Sequence, residues 1–256
     1  MTETIALVTG AAGGIGAAVA RKLAEDDTRV AAADHDPDQL RETVAELAGK
    51  GLPVEAFPLD VTDSARVSAV VEEVETRMGP VEHLVNAAGV LRLGETRTTS
   101  AEEWAHTLAV NATGVFHVSR AVVDRMVPRQ RGAIVTVASN AAGTPRARMA
   151  AYSASKAAAT MFTKSLGLEV AEHGIRCNVV APGSTDTPML RSMWHDENGR
   201  THTLNGNPSE YRLGIPLGKL AHPDDVAESV RFLLSDRAGH ITLHDLTVDG
   251  GATLGV

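Results

Sequence analysis

Short apolar runs alternate along this chain with longer stretches whose apolar positions recur at helical spacing. The runs fall at 4–9, 28–33, 54–59, 81–86, 132–138, 175–181 and 245–249. They are rich in Val, Ile, Leu and Ala and nearly unbroken by polar residues, as in parallel strands covered on both faces. Between them the spacing predicts helices near 14–26, 37–50, 63–78, 100–127, 152–173 and 223–235. Asp63 and Ser100 stand where N-caps belong, and Glu103 completes capping-box spacing with Ser100. Pro223 followed by Asp224 and Asp225 also reads as a helix start. Strand–helix alternation of this kind predicts an α/β protein with a doubly wound, parallel, seven-stranded sheet.

One stretch breaks the rhythm. Residues 184–218 are polar, hold Pro188, Gly199, Gly206, Pro208, Gly214 and Pro216, and show no sustained period. A connection that long inside a compact domain is usually functional, and a lid over substrate is the expectation. No repeat, linker or low-complexity tract interrupts the chain, so residues 1–256 read as a single domain.

Composition narrows the function classes. Hydrophobic residues make up 43% of the chain, enough for a sizeable interior, and the net charge of −8 argues against general nucleic-acid binding. The single cysteine, Cys177, sits in an apolar run and reads as a small core residue, not a reactive thiol. The apolar segment at the start is too short for a signal core, and no stretch reaches the roughly 18 residues of a membrane span. A cytoplasmic protein without a metal site is expected.

The first strand runs into Thr9-Gly10-Ala11-Ala12-Gly13-Gly14-Ile15-Gly16, and a helix follows at once. Glycines there permit a tight turn and close backbone approach, while the helix N-terminus offers free N–H groups to a pyrophosphate. The second strand ends at Asp34, whose carboxylate can accept both adenosine ribose hydroxyls and would repel a 2′-phosphate. Neither Gly13 nor His35 supplies the strong cation that a 2′-phosphate needs, so NAD is expected over NADP. Asp60 and Val61 follow the third strand and are placed to meet the adenine edge. Asn86, Ala87, Ala88 and Gly89 follow the fourth and are small enough to let backbone approach a flat ligand, although a plain strand-ending turn would also account for them.

The fifth strand leads to Ser139, and Tyr152 and Lys156 lie a helical turn apart just beyond. Oxidising an alcohol requires removal of the hydroxyl proton as hydride leaves the carbon. A phenolate can take it, but tyrosine titrates near 10, so ionisation near neutrality costs roughly 4 kcal/mol. A lysine cation about 5 Å away supplies about 3 kcal/mol at an effective dielectric near 20. Oxidised nicotinamide, also cationic, can supply much of the rest. Lys156 can therefore acidify Tyr152 and hydrogen-bond the nicotinamide ribose, while Ser139 orients the substrate oxygen.

Taken together, Thr9 through Gly16, Asn86 through Gly89, Asn111, Ser139, Tyr152, Lys156 and Pro182-Gly183 resemble the short-chain dehydrogenase/reductase family over essentially the whole chain. The resemblance implies a Rossmann fold and a homotetramer formed through the fourth and fifth helices. It also implies that Asn111 holds a water in a proton relay from Lys156, where the residues alone suggest only a polar position inside a helix. Thr185 or Thr187, beyond Pro182-Gly183, would contact the nicotinamide amide.

Further segments are similar to the branch of that family that oxidises 2,3-dihydro-2,3-dihydroxybenzoate to the catechol acid used in siderophores. They are Val90 to Gly94, Ser139 to Ala142 with Thr144 to Arg146, Gly183 to Thr187 with Trp194, Ile215 to Lys219, His240 to Leu243, and Asp249 to Gly255. Residue 148 is Arg where that branch carries Gly. Arg146, between the Ser139 strand and Tyr152, can grip a substrate carboxylate in a bidentate fork. Arg92 and Arg148 are rivals, and an ordinary surface or ion-pair role serves each of the three as well. Met189, Leu190, Met193 and Trp194 are placed to close over a flat ring, or to pack a lid or a dimer contact. Three other readings remain: oxidation of the amino analogue 2,3-dihydro-3-hydroxyanthranilate, reduction of a 3-oxoacyl group on a carrier protein, and a non-enzymatic NAD sensor. Asp34 counts against the second, and the presence of both Tyr152 and Lys156 counts against the third.

Overall fold

In the computed structural model, which describes residues 4–194 and 196–255, seven parallel strands form one sheet. They are β1 (Ile5–Thr9), β2 (Arg29–Asp34), β3 (Val54–Pro58), β4 (Val81–Asn86), β5 (Gly132–Val137), β6 (Ile175–Pro182) and β9 (Asp245–Val248). Each lies within two residues of its predicted bounds. Their spatial order is β3-β2-β1-β4-β5-β6-β9. The order reverses between β1 and β4, which opens a crevice at the strands' carboxyl ends.

Side chains alternate across the sheet with the two-residue strand period. In β1, Ala6 and Val8 enter one core and Ile5 and Leu7 the other. The first core packs against α1 (Gly14–Ala24), α2 (Pro37–Gly49) and α9 (Pro223–Leu234). The second packs against α3 (Ser64–Arg77), α5 (Gly114–Met126) and α6 (Ala150–Val170). Cys177 belongs to this second core, fully buried, and its burial pushes the thiol up to about 12. Among the described residues, no helix is long and apolar enough to cross a membrane.

The expected caps are present. Asp63 accepts the N–H groups of Ala65 and Arg66. Ser100 and Glu103 form a reciprocal capping box at the start of α4 (Ala101–Leu108). At α9 the cap is His222, paired with Asp225. Each such cap stabilises its helix by about 1 kcal/mol.

Two features depart from the predicted elements. The helix expected over 100–127 is continuous in path, but its centre widens into a π turn at Ala109–Thr113. Residues 184–218 are not structureless either. They contain α7 (Pro188–Arg191), α8 (Gly199–Asn205) and an antiparallel hairpin of β7 (Gly206–Asn207) and β8 (Arg212–Leu213). These pieces are too short to leave a period in the sequence.

Candidate active site

Two cavities open along the carboxyl edge of the sheet. They share Ile15, Ala138, Tyr152, Thr187 and Met189, so they meet at the tyrosine.

The larger, of about 430 Å³, runs over the reversal point of the sheet. Gly10, Gly14, Ile15 and Gly16 form its floor. Gly10 is left-handed at φ +72°, and a Cβ there would sit 2.6 Å from the Ala88 nitrogen. A Cβ on Gly16 would lie 2.0 Å from the Gly10 carbonyl oxygen. Helix α1 starts behind Gly13 with no side-chain cap, unlike α2, α3 and α4. Its first N–H groups are therefore left for whatever fills the crevice. Asp34 forms one wall, with Oδ2 accepting the Ala12 N–H at 3.0 Å and Oδ1 accepting the Asp36 N–H at 3.2 Å. Oδ1 also meets His35 Nδ1 at 2.9 Å, so the acceptor site left unused lies on Oδ2. Asp60 and Val61 form another wall, and hydrogen bonds from Thr62 hold the Asp60 carboxyl below the usual carboxylate range. Ala87, Ala88, Gly89 and Lys156 also line it. A dinucleotide's pyrophosphate, ribose and flat rings fit this set of donors, carboxylate and missing side chains.

Asn86 is a correction within the predicted set. Its side chain turns away from the crevice into the protein, where the amide donates to the Ser119 hydroxyl at 3.0 Å. It fixes the end of β4 and leaves the approach to backbone at Ala87 to Gly89.

The smaller cavity, of about 120 Å³, is lined by Ser139, Tyr152, Pro182, Gly183, Thr185, Thr187 and Met189. Thr187 caps α7 by accepting the Leu190 N–H, and Thr185 is buried beside Gly183. The Ser139 hydroxyl accepts the Ala141 N–H at 3.1 Å, which keeps its own proton available. It lies against the Tyr152 phenol, and its hydrogen bond favours the phenolate.

Tyr152 and Lys156 sit in the first turns of α6, both buried. Lys156 Nζ donates to the Val137 carbonyl at 2.9 Å and lies 5.9 Å from the centre of the Tyr152 ring. Burial brings the lysine down to about 8 and raises the tyrosine above its ordinary value, against the pull of Ser139. Burial thus opposes the charged form of both groups in the chain without cofactor.

Asn111 lies fully buried in the π turn. Its Oδ1 accepts the Val90 N–H at 2.8 Å, and its Nδ2 donates to the Val90 carbonyl and to Ser155. A Cβ on Gly89 would stand 3.3 Å from both Asn111 Oδ1 and Lys156 Nζ, so the three meet at one point. A π turn at a functional site is a recurrent device, invisible to a 3.6-residue period.

The three arginines separate. Arg146 lines the small cavity, half-buried, its guanidinium making no hydrogen bond or ion pair to any described residue. Arg92 and Arg148 line a different, polar hollow beside α4, so neither is placed at the Tyr152 cavity. Arg148 pairs with Glu210, and its φ of +60° is the left-handed backbone that a glycine adopts freely. Trp194 is likewise displaced from its expected place over the substrate. It packs on Gly199 and donates to Thr203 Oγ1 at 3.2 Å, holding α8 in place while Met189, Leu190 and Met193 face the cavity. The sequence reading also missed Arg212 on β8, which reaches the same cavity from across the hairpin. No period or motif marks that position.

A crevice shaped for a dinucleotide, opening onto a tyrosine–lysine–serine cluster, is the arrangement of a nicotinamide-dependent oxidoreductase. Residues 4–198 match the family model described as short chain dehydrogenase, and the chain belongs to that family. It is thus an oxidoreductase that acts on a CH–OH group with a nicotinamide cofactor.

The chain is similar to 2,3-dihydro-2,3-dihydroxybenzoate dehydrogenase of Bacillus subtilis, with 56% identity covering 98% of this chain and 97% of that one. It is 44% identical to the Escherichia coli enzyme of the same name, over 97% of this chain and 96% of the other. Among solved structures it resembles a variant of actinorhodin polyketide ketoreductase with NADPH, with a TM-score of 0.90 and 36% identity, covering 98% of this chain and 97% of that one.

Proposed function

We propose that this protein uses NAD to oxidise a carboxylated cyclic dihydrodiol, foremost 2,3-dihydro-2,3-dihydroxybenzoate, to the aromatic catechol acid used in siderophores. The observation that carries the substrate class is Arg146. A guanidinium with no hydrogen-bond or ion-pair partner among the described residues, half-buried beside Ser139 and Tyr152, calls for an anionic group on the ligand. The names of the relatives at 56% and 44% identity support the same substrate.

The chemistry follows from the cluster. Tyr152 accepts the proton of the substrate hydroxyl, and Ser139 donates to the same oxygen and fixes its position. Lys156 holds its charge beside the phenol and is within reach of a ribose in the crevice. Asn111 and Gly89 shape the point where a water can pass a proton from Lys156 outward. The bound cofactor supplies the hydride acceptor and a second positive charge that favours the phenolate. Loss of hydride from the ring carbon leaves a dienone, whose tautomerisation to the catechol draws the oxidation forward. Asp34, placed for two ribose hydroxyls and hostile to a 2′-phosphate, supports NAD as the cofactor.

Residues 184–218 act as the lid of a single domain, with Met189, Leu190 and Met193 toward the ring. A homotetramer is supported by Phe116, Met161 and Leu168, large apolar side chains left exposed on α5 and α6.

The test is turnover. The purified protein is offered NAD with a carboxylated cyclic dihydrodiol and with its neutral analogue, following reduced nicotinamide. The carboxylated diol should be strongly preferred, and Arg146→Ala should raise its KM by about tenfold to a hundredfold. Equal use of both diols by the unaltered protein would contradict the reading.

A further inference from the structure

We infer that Arg212 is a second carboxylate-binding guanidinium, carried into the site by the β7–β8 hairpin, so that the substrate's carboxylate ties this part of the lid to Arg146. The inference rests on the carboxylated-diol reading above and deepens it.

Arg212 belongs to no part of the main sheet. The hairpin that bears it is tightly determined. A Cβ on Gly206 would fall 2.6 Å from the Arg212 carbonyl oxygen, and the Ile215 N–H bonds the Leu204 carbonyl at 2.8 Å. From there the side chain crosses to the rim of β6, where Nη2 donates to Ser184 Oγ at 2.9 Å. Ser184, Arg146 and Arg212 all line the small cavity.

The charges around the cavity do not balance. Glu210 is committed to Arg148. Asp249 accepts from Asn140, Gly251 and Thr253, and attracts the Arg146 guanidinium without forming an ion pair with it. Among the described residues the Arg212 side chain forms no ion pair, its only hydrogen bond being to the neutral Ser184, and the Arg146 side chain forms neither. The two guanidiniums repel each other, and Arg212 is held below its ordinary value by burial and by Arg146, against a weaker pull from Glu210. Two half-buried like charges in one cavity are unfavourable until an anion joins them. Lys and Arg stems often lie along apolar surface with the head in water. Here the head is drawn inward and fixed by a serine, which a merely packed stem does not require.

A carboxylate has two oxygens and about four lone-pair sites, enough for two guanidiniums. Arg146 comes from the segment just before α6, and Arg212 from the lid. An anion bridging them would hold β8 against the fixed part of the protein. The ring would then lie among Leu91, Met149, Met193 and Ile215, all of which line the same cavity.

The experiment uses the enzyme saturated with its nicotinamide cofactor and two ring probes, benzoate and its uncharged isostere benzamide. Binding is measured by calorimetry, and backbone amide exchange is followed over residues 204–215. The unaltered protein should bind benzoate at least about tenfold more tightly than benzamide, and benzoate alone should slow exchange in the hairpin. Arg212→Met should lose about tenfold in benzoate affinity, keep its benzamide affinity and lose the benzoate-dependent protection. Arg212→Lys should recover part of the affinity. A melting temperature for Arg212→Met at or above that of the parent would show that the variant is folded. If the unaltered protein prefers benzoate and Arg212→Met keeps the whole preference, Arg212 has no such role and the carboxylated-diol reading stands. If the unaltered protein shows no preference, both fail together.

Discussion

Lys156 and Tyr152 stand one helical turn apart on α6, with the ammonium 5.9 Å from the centre of the phenol ring and bonded to the Val137 carbonyl at 2.9 Å. Burial works against the charged form of both, raising the tyrosine and bringing the lysine to about 8. The pair is thus costly in the chain by itself, and another positive charge in the crevice would favour the phenolate while leaving the cost of the lysine in place. That balance has a consequence for stability.

Replacing Lys156 by Met should stabilise the cofactor-free protein at pH 7. The lysine holds its proton less tightly when folded, at about 8, than when unfolded, near 10.4. Below pH 8 the folded state bears the full cost of the buried charge. Between pH 8 and about 10.4 the folded lysine is neutral while the unfolded one is still protonated, so the parent's stability rises through that range. The cost is about 3 kcal/mol, offset by about 1 kcal/mol for the lost bond to Val137. Thermal melts should place Lys156→Met several degrees higher at pH 7, with the gap closing as pH approaches 10. A lower melting temperature at pH 7 would show that the lysine contributes net stability to the fold.

Asp34 is the acceptor expected to separate the two cofactors. Asp34→Ala should raise the ratio of NADP to NAD efficiency by about tenfold or more, because a charged hydrogen-bond acceptor for ribose is lost with its repulsion of phosphate. It should also cost about 1–3 kcal/mol of stability, since the Ala12 and Asp36 N–H groups lose their acceptor. Kinetics with each cofactor and a urea midpoint test the two effects separately. An unchanged cofactor ratio would remove Asp34 as the discriminator.

His83 on β4 should set part of the acid limit of the fold. Burial, with Arg176 and Arg131 adding to it, brings the imidazole down to about 4, and its Nδ1 has no hydrogen-bond partner among the described residues. The unfolded chain takes up a proton near 6.5 while the folded one resists, so stability is present above pH 6.5 and falls as pH drops toward 4. The loss is about 2 kcal/mol, reduced from the full shift because the side chain retains some solvent. His83→Phe should show a smaller drop in urea midpoint between pH 7 and pH 4.5 than the parent. Parallel drops would assign the acid sensitivity elsewhere.

How far the site could be read from the chain depended on what kind of pattern each residue belonged to. Gly10, Asp34, Ser139, Tyr152 and Lys156 follow strand ends or open a helix, so locating the strands located them. Asn111 was harder, because residues in a π turn keep an ordinary helical composition and only its resemblance to a family position marked it out. Asn86 belongs to the right turn but faces the interior, a choice made by Ser119 on a helix distant in sequence. Trp194 and Arg212 depended on how residues 184–218 fold back. Two-residue strands and a four-residue helix carry no period, and the ends that matter are joined by tertiary contacts. An arginine's neighbourhood in such a segment is set by the hairpin register, which a single sequence does not display.

The most direct test of the account is Tyr152→Phe, which removes one oxygen and leaves the ring in place. Steady-state turnover of the carboxylated dihydrodiol should fall by about two to four orders of magnitude, while calorimetry shows cofactor affinity within about threefold of the parent. Turnover close to the parent's would contradict the central claim that this phenol takes the substrate's proton.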